Sequence, residues 1–456
     1  MINRRRFLHG LAAASVAPRA SARAGRTAGF GPLRPDPGRI LDLPEGFSYS
    51  IIASRGEEMD DGLLVPGLAD GMAAFSGSDG QIILVCNHEI RPYRLNQSPF
   101  GPGAERLAAV PTNAVYDAGK GRTPALGGTT TIHYDPATRR RTHMHMSLIG
   151  TEVNCAGGPT PWGSWLSCEE CFFDEGTSFE GGYVIHRERK HGYVFEVPAG
   201  AMSPVEPRPL KDMGRFEHEA AAVNPASGIV YMTEDRHRSL LYRFIPNVPG
   251  ELSAGGRLQA LALAEEPGFD TRNWSNAHAM PINKWYTADW VDLEEPDVAS
   301  NELRLRGTNL GAAIFARGEG ITWADGEVVM AATIGGPERL GQIFTYQPSP
   351  VEGMAEEASQ PGRLRLFAQS TSDSILRHAD NLTLSPWGDL VVCEDTSDHC
   401  GLVGVRPDGV QYALADNAHT EAELAGICFS PDGSVMFVNI QDRGLTLAIT
   451  GPWRQA

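Results

Sequence analysis

Gly150 to Glu170 reads GTEVNCAGGPTPWGSWLSCEE and sets one cysteine, a Gly-Gly turn and two adjacent carboxylates within a short span. A soft thiolate beside hard carboxylates is how a protein builds a mixed metal site. Cys155, flanked by Asn154 and Ala156-Gly157-Gly158, reads as exposed at a turn and as a ligand. Glu169 and Glu170 point oppositely on an extended strand, so one ion would take one of them. Other stretches also gather groups that hard cations prefer. They are Asn87-His88-Glu89, Glu217-His218-Glu219, Glu234-Asp235-Arg236, Arg317-Gly318-Glu319-Gly320, His378 with Asp380 and Asn381, and Glu394-Asp395. Calcium takes six to eight oxygens, which several such stretches brought to one rim would supply. Arg317 lies two residues from Glu319, on the same face of an extended strand. A guanidinium beside metal carboxylates suits phosphate, whose oxygens match its fork. No EF-hand loop, HExxH helix, GxSxG elbow, Walker loop or GxGxxG fingerprint is evident.

These residues need elements to position them, and one unit recurs. A turn with Pro, Asp or Ser leads to Gly, then to four or five mostly apolar residues, then to a polar or acidic one. The turn glycines are 80, 163, 228, 326, 388 and 433, and six positions on stand Cys86, Glu169, Glu234, Ala332, Glu394 and Asn439. Asp-Gly and Pro-x-Gly make tight turns between strands. Runs such as QIILV, GIVYM, EVVMA, DLVVC and SVMFV read as strands buried on both faces. Six units in a chain with 51 Gly and 32 Pro predict an all-β protein, a six-bladed β-propeller with long inter-blade insertions; a decorated sandwich is the alternative. Glu169, Glu234 and Glu394 share one register and are read as functional. Residues 91–125 read as a long loop, and 250–306 as an insertion of clustered aromatics with short helices.

A formal net charge of −17 argues against nucleic acid as a partner and for polyvalent cations. Arg4, Arg5, Arg6, Phe7 and Leu8, a mild apolar run and Ala20-Ser21-Ala22 predict a twin-arginine signal peptide over 1–22. The remainder, 23–456, reads as one catalytic domain. Export by the twin-arginine machinery would make it periplasmic or extracellular, and no later run is long enough to span a membrane. Seven cysteines is an odd number for such a compartment. Cys168-x-x-Cys171 without a second pair argues for a disulfide or buried thiols rather than zinc.

NCAGGPTPWGSWLSCEE resembles the signature of the PhoX family of secreted alkaline phosphatases. The resemblance continues through CNHE (86–89), HEAAAVNP (218–225), YMTED (231–235), RGEG (317–320), DNLTLSPWGDLVVCED (380–395), CFSPDGSVMFVNIQ (428–441) and AITGPW (448–453). It implies a six-bladed propeller with an iron–calcium cluster (Fe3+ and Ca2+) that hydrolyses phosphomonoesters, with small phosphorylated substrates as its partners. By motif, Cys155 would be the iron thiolate, Glu170, Glu219 and Glu319 carboxylate ligands, and Asn87 and Arg317 the phosphate holders. Glu89, Glu169, Glu234, Asp235, Asp380, Glu394 and Asp395 would be further metal groups. The competing readings are a calcium-dependent propeller hydrolase of phytase or lactonase type, needing no thiolate, and a non-catalytic exported binding propeller.

Overall fold

The computed structural model describes residues 29–454, so the signal expected over 1–22 lies outside the described residues. Six short strands surround a common axis: Ala69–Ser76, Asn154–Pro159, His218–Val223, Gly318–Ala324, Ala379–Leu384 and Leu424–Phe429. Each lies beside the next, and the last beside the first. Each turns back into an antiparallel second strand: Ile82–His88, Ser164–Glu169, Val230–Glu234, Glu327–Ala332, Leu390–Glu394 and Met436–Ile440. All six second strands are buried along their whole length, as apolar runs packed on both faces must be. Gly163, Gly228, Gly326, Gly388 and Gly433 adopt positive φ in the turns between these strands.

The expectation of a six-bladed β-propeller is corrected: the sheets form four blades and a nearly closed nine-stranded barrel. Four of the inner strands belong to separate sheets of three, four, four and six strands. The other two are the ends of one continuous nine-stranded sheet. The fusing element is the strand Trp285–Asp292. Its first half, Trp285 to Thr287, pairs with Arg363 to Arg365, and Ala288 to Asp292 pair with Gln259 to Leu263. That strand lies in the stretch read from sequence as an aromatic insertion with short helices. Charged neighbours around Trp285, Tyr286 and Trp290 mask its β pattern. The two ends of the nine-stranded sheet, His218–Val223 and Gly318–Ala324, lie side by side, so it nearly closes into a barrel.

The N-terminal segment ties the ring shut. Ser48–Ser54 pairs with Leu445–Thr450, and Leu41 and Asp42 pair with Asn417 and Asp416. Among the described residues only one α-helix forms, Leu303–Asn309, and no helix is long and apolar enough to cross a membrane. All seven cysteines are free thiols, so Cys168 and Cys171 are buried without a disulfide.

Candidate metal centre

Every inner strand carries the same irregularity. The ladder to its second strand slips between Ala69 and Met72, Asn154 and Gly157, His218 and Ala221, Gly318 and Ile321, Ala379 and Leu382, and Ala425 and Cys428. Such bulges re-aim side chains out of simple alternation. The first residues in the slips are Asp70, Cys155, Glu219, Glu319, Asp380 and Gly426: four carboxylates and a thiol from five strands, and no side chain from the sixth. At four of the strands the residue just before is left-handed: Leu68, Val153, Arg317 and His378, with φ of 47°, 51°, 54° and 47°. For a β-branched residue such as Val153 this is costly, roughly 1–3 kcal/mol, and such strain gathers at functional sites.

The residues next inside the slips are small at four strands, Gly71, Ala156, Ala220 and Gly320, because the strands meet closely there. A Cβ at Gly71 would stand 2.6 Å from Ala156 Cα, and one at Gly320 2.6 Å from the Asp380 carbonyl oxygen. They line an axial cavity of about 90 Å³.

A second set comes from the residues just past the second strands: Glu89, Glu170, Asp235, Thr333, Asp395 and Gln441. The two sets meet. Asp70, Glu89 and Cys155 offer ligand atoms within 4.8 Å of one another, as do Cys155, Glu170 and Glu219, and Glu219, Glu319 and Asp380. Cys155 and Glu219 are each shared by two triads, so the seven groups form one chain of three adjoining sites. The Cys155 Sγ lies 3.3 Å from Glu219 Oε1. Gln441 Nε2 donates to Asp70 Oδ2 at 2.6 Å and to Glu89 Oε2 at 2.9 Å.

Burial, and then mutual repulsion, push Asp70, Glu170, Glu219 and Glu319 well above the usual carboxylate range, and Asp380 up to about 7. The same two causes raise the Cys155 thiol. Asp70 Oδ1 and Glu219 Oε2 are buried with no hydrogen-bond partner among the described residues. Cations placed among these groups would reverse the cost, because they favour the charged forms. The donor set therefore fits metal. The two triads that contain the thiolate suit a softer transition ion, and the all-oxygen triad suits calcium.

Arginines border the acids. Arg317 Nε and Nη2 donate to Asp235 at 2.6 and 2.7 Å, and Nη2 lies 3.1 Å from Glu319 Oε1. Its Nη1 has no protein partner among the described residues. Arg91 feels the charges of Glu170 and Glu89 and makes no side-chain hydrogen bond within the described protein.

Several residues singled out from sequence take other places. Glu169 accepts from the amides of Glu152, Gly192 and Tyr193 at 2.9, 2.8 and 3.2 Å and pairs with His191 Nδ1 at 2.7 Å. Glu234 accepts from the Tyr242 hydroxyl at 2.9 Å, and Glu394 accepts from the Arg377 amide at 2.9 Å. Their common register pairs them with Asn154, His218 and Ala379, one residue short of the axis. These three, expected as metal groups, are buried among partners of their own sheets and stand outside the triads.

Asn87, expected to hold phosphate, is engaged within the protein. It is fully buried, its Nδ2 donates to the carbonyls of Cys155 and Ala156 at 3.2 and 2.6 Å, and its Oδ1 accepts from Trp165 Nε1 and Ser167 Oγ, both at 2.8 Å. Asp235 is taken up by Arg317 and stands outside the triads, as does Asp395, whose charge acts on Asp380, Glu89 and Glu423.

Sequence reasoning missed Asp70, Glu423, Arg91 and Gln441. Asp70 is the second residue of the strand Ala69–Ser76 and Glu423 stands just before Leu424–Phe429, so a search keyed to strand ends passes over both. The pKa of Glu423 is raised by burial and by the charges of Asp380 and Asp70.

A closed ring of strands that aims buried carboxylates and a thiol at one axis, with arginines at the edge, defines a metal-dependent hydrolase acting on anions. The chain belongs to the alkaline phosphatase PhoX family, which matches residues 28–444, and it is a phosphatase of that metal-dependent class. Its fold is that of Pseudomonas fluorescens PhoX, solved in complex with vanadate, a transition state analogue. That likeness has 18% identity and a TM-score of 0.67, and it covers 91% of this chain and 96% of that one. A gluconolactonase from Xanthomonas campestris is more distant, at 13% identity and a TM-score of 0.40 over 94% of this chain and all of that one. Virginiamycin B lyase from Staphylococcus aureus is similar at 12% and 0.37, over 89% and 99%. No curated protein matches the chain.

Proposed function

We propose that the protein is an exported phosphatase that hydrolyses phosphomonoesters at a cluster of ferric and calcium ions held on the ring axis. The observation that carries this reading is the chain of three adjoining triads sharing Cys155 and Glu219, with buried oxygens on Asp70 and Glu219 that have no hydrogen-bond partner among the described residues. Cys155 with Asp70, Glu89, Glu170 and Glu219 would hold iron, and Glu219, Glu319 and Asp380 would hold calcium. When bound, these cations supply Lewis acidity that neutralises the phosphoryl oxygens and acidifies the attacking water.

The protein's own groups do the positioning. Arg317 offers Nη1 to a phosphoryl oxygen, while Asp235 fixes the plane of its guanidinium through two hydrogen bonds. Arg91, unpaired beside Glu170, offers a second positive group for the same dianion. Asn87 holds the Cys155–Ala156 backbone in place and thereby aims the thiol. Recognition is concentrated on the phosphoryl group, so tolerance for the ester's organic part is expected. The vanadate complex of the Pseudomonas fluorescens relative is in keeping with such a centre. Export by the twin-arginine route would deliver the protein folded, with its metals loaded.

Elemental analysis of protein purified without chelator, alongside p-nitrophenyl phosphate turnover, tests this reading. Iron and calcium together, a colour from thiolate-to-iron charge transfer, and loss of colour, iron and activity in Cys155→Ser are expected. A colourless calcium protein whose activity survives Cys155→Ser would overturn it.

A further inference from the structure

A second group of metal-binding side chains lies away from the ring axis, on the outer strands of the sheet that begins at Ala69. His143 and His145 are two apart on the strand Arg140–Thr151, so they share a face, and His133 on Gly127–Asp135 pairs directly with His143. The ring centroids stand 5.2 Å apart for His143 and His145, 5.6 Å for His133 and His143, and 6.5 Å for His133 and His145. Three imidazoles on one tetrahedral ion stand about 5 Å apart, given a metal–nitrogen bond of about 2 Å. The ring centres therefore have nearly the needed spacing, while the nitrogens do not yet converge as the ligand atoms of the acidic triads do. Ion binding would require the rings to turn about their Cβ–Cγ bonds, a broad torsion.

The hydrogen bonds and ion pair leave one ring nitrogen of His143 and one of His145 to be accounted for, and His133 makes no ring hydrogen bond among the described residues. His145 Nε2 lies 3.1 Å from the Ala201 carbonyl, to which it must donate, so Nδ1 carries the lone pair. That Nδ1 is buried and has no partner among the described residues, and the same holds for His133 Nε2. The two residues are only 2% and 8% exposed. A bare lone pair in such a place is costly unless something binds it. His143 Nδ1 lies 3.2 Å from Asp60 Oδ2, which leaves its Nε2 for an ion. A carboxylate behind a ligating imidazole fixes the ring and strengthens the donor. Asp60 is itself held, because Oδ2 accepts from the Met144 amide at 2.7 Å. Burial, then the neighbouring His143, lowers the pKa of His133 and of His145, which keeps both rings in the neutral form a metal needs. His143 is one-third exposed, so an ion can enter from its side.

We propose that His133, His143 and His145 form a second metal site that takes a borderline transition ion, Zn2+ or Cu2+, separate from the acidic cluster on the axis. All-imidazole donors select these ions over calcium, and Cu2+ binds most tightly in the divalent series. The acidic triads contain no histidine, so the two sites differ in their donor atoms.

The test titrates Cu2+ into the calcium-replete full protein and reads its paramagnetic resonance. One equivalent with hyperfine splitting from about three nitrogens is expected. His143→Ala, at the exposed edge, should leave the fold intact, remove one nitrogen from the pattern and weaken Cu2+ binding by at least about tenfold. His133→Gln with His145→Gln should abolish the nitrogen splitting. The proposal is overturned if the wild-type copper signal carries no nitrogen coupling, or if His143→Ala binds copper with the wild-type spectrum and affinity.

Discussion

Glu169 and Glu170 are adjacent in sequence, and replacing each by Gln should act in opposite ways. Glu169 spends both oxygens on four partners, three backbone amides and His191. His191 is fully buried and lies between Glu169 and Asp117, its Nε2 3.3 Å from Asp117 Oδ2. Burial disfavours its charged form, yet Glu169, Asp117 and Glu152 outweigh that and raise its pKa to about 10. Glu169→Gln removes the negative charge and turns an NH2 towards two backbone donors. Breaking a buried pair in this way costs about 3–5 kcal/mol. Glu170→Gln instead removes one of several buried, mutually repelling carboxylates, so the metal-free protein should be as stable as wild type or more so. With metals present it should lose iron and at least about tenfold in activity, since loss of an outer-shell partner alone costs about that much. Urea unfolding in chelator, with elemental analysis and p-nitrophenyl phosphate turnover in its absence, reads all three quantities. The stabilisation that depends on protonated His191 is fully present below its unfolded pKa of about 6.5. It is lost as pH climbs through about 10, and this slope should flatten in Glu169→Gln. The reasoning fails if Glu170→Gln destabilises the metal-free protein as much as Glu169→Gln does, or if Glu169→Gln strips the metals at unchanged stability.

Arg317→Lys should raise KM for p-nitrophenyl phosphate by about tenfold or more. The ammonium cannot bind Asp235 and phosphate together, and one charge-assisted hydrogen bond contributes about 1.5–3 kcal/mol; an unchanged KM would remove Arg317 from substrate binding. Asn87→Ala should lower stability by about 2–4 kcal/mol in urea unfolding, because it orphans two carbonyls, Trp165 Nε1 and Ser167 Oγ. A raised KM at unchanged stability would instead restore Asn87 as a phosphate ligand. Gly426→Ala would place a Cβ 2.2 Å from the Asp70 carbonyl oxygen at a φ of +65°. It should cost about 1–3 kcal/mol and lower metal occupancy by displacing Asp70; wild-type metal content at wild-type stability would show that the sixth strand does not support the site.

The repeated turns and the second strands could be read from sequence because each rests on a local rule: tight turns need particular residues, and buried strands are continuously apolar. Cys155, expected exposed at a turn, lies instead in the strand Asn154–Pro159 and is half-buried. The choice of acids could not be read that way. Glu169, Glu234 and Glu394 share a register, and a shared register suggested a shared ring of ligands. A slip on each inner strand instead sets the residue just past each second strand towards the axis, so Glu170 reaches it and Glu169 does not. The slips depend on how inner strands abut one another, which no single segment reveals. Asp70 was invisible for this reason, although the Gly71 beside it marks the close approach to Ala156. The strand Trp285–Asp292 escaped notice because it is only partly buried and borrows its order from two neighbours.

The slips also bear on why the centre should need its cations in order to be rigid. Five of the six aim one group inwards through a deformation that costs energy locally, and four are preceded by a left-handed residue other than glycine. The groups so aimed repel one another once ionised, and burial adds to the cost, as the raised pKa values of Asp70, Glu170, Glu219 and Glu319 reflect. Arg91, Arg317 and Gln441 ease these costs only in part, since Glu170, Glu219, Glu319 and Asp70 stay well above the usual carboxylate range beside them. Multivalent ions shared between triads offset both at once, and their binding energy then becomes folding energy. Because Cys155 and Glu219 each belong to two triads, loss of the ion at one should loosen its neighbour, so the metals should leave together rather than singly.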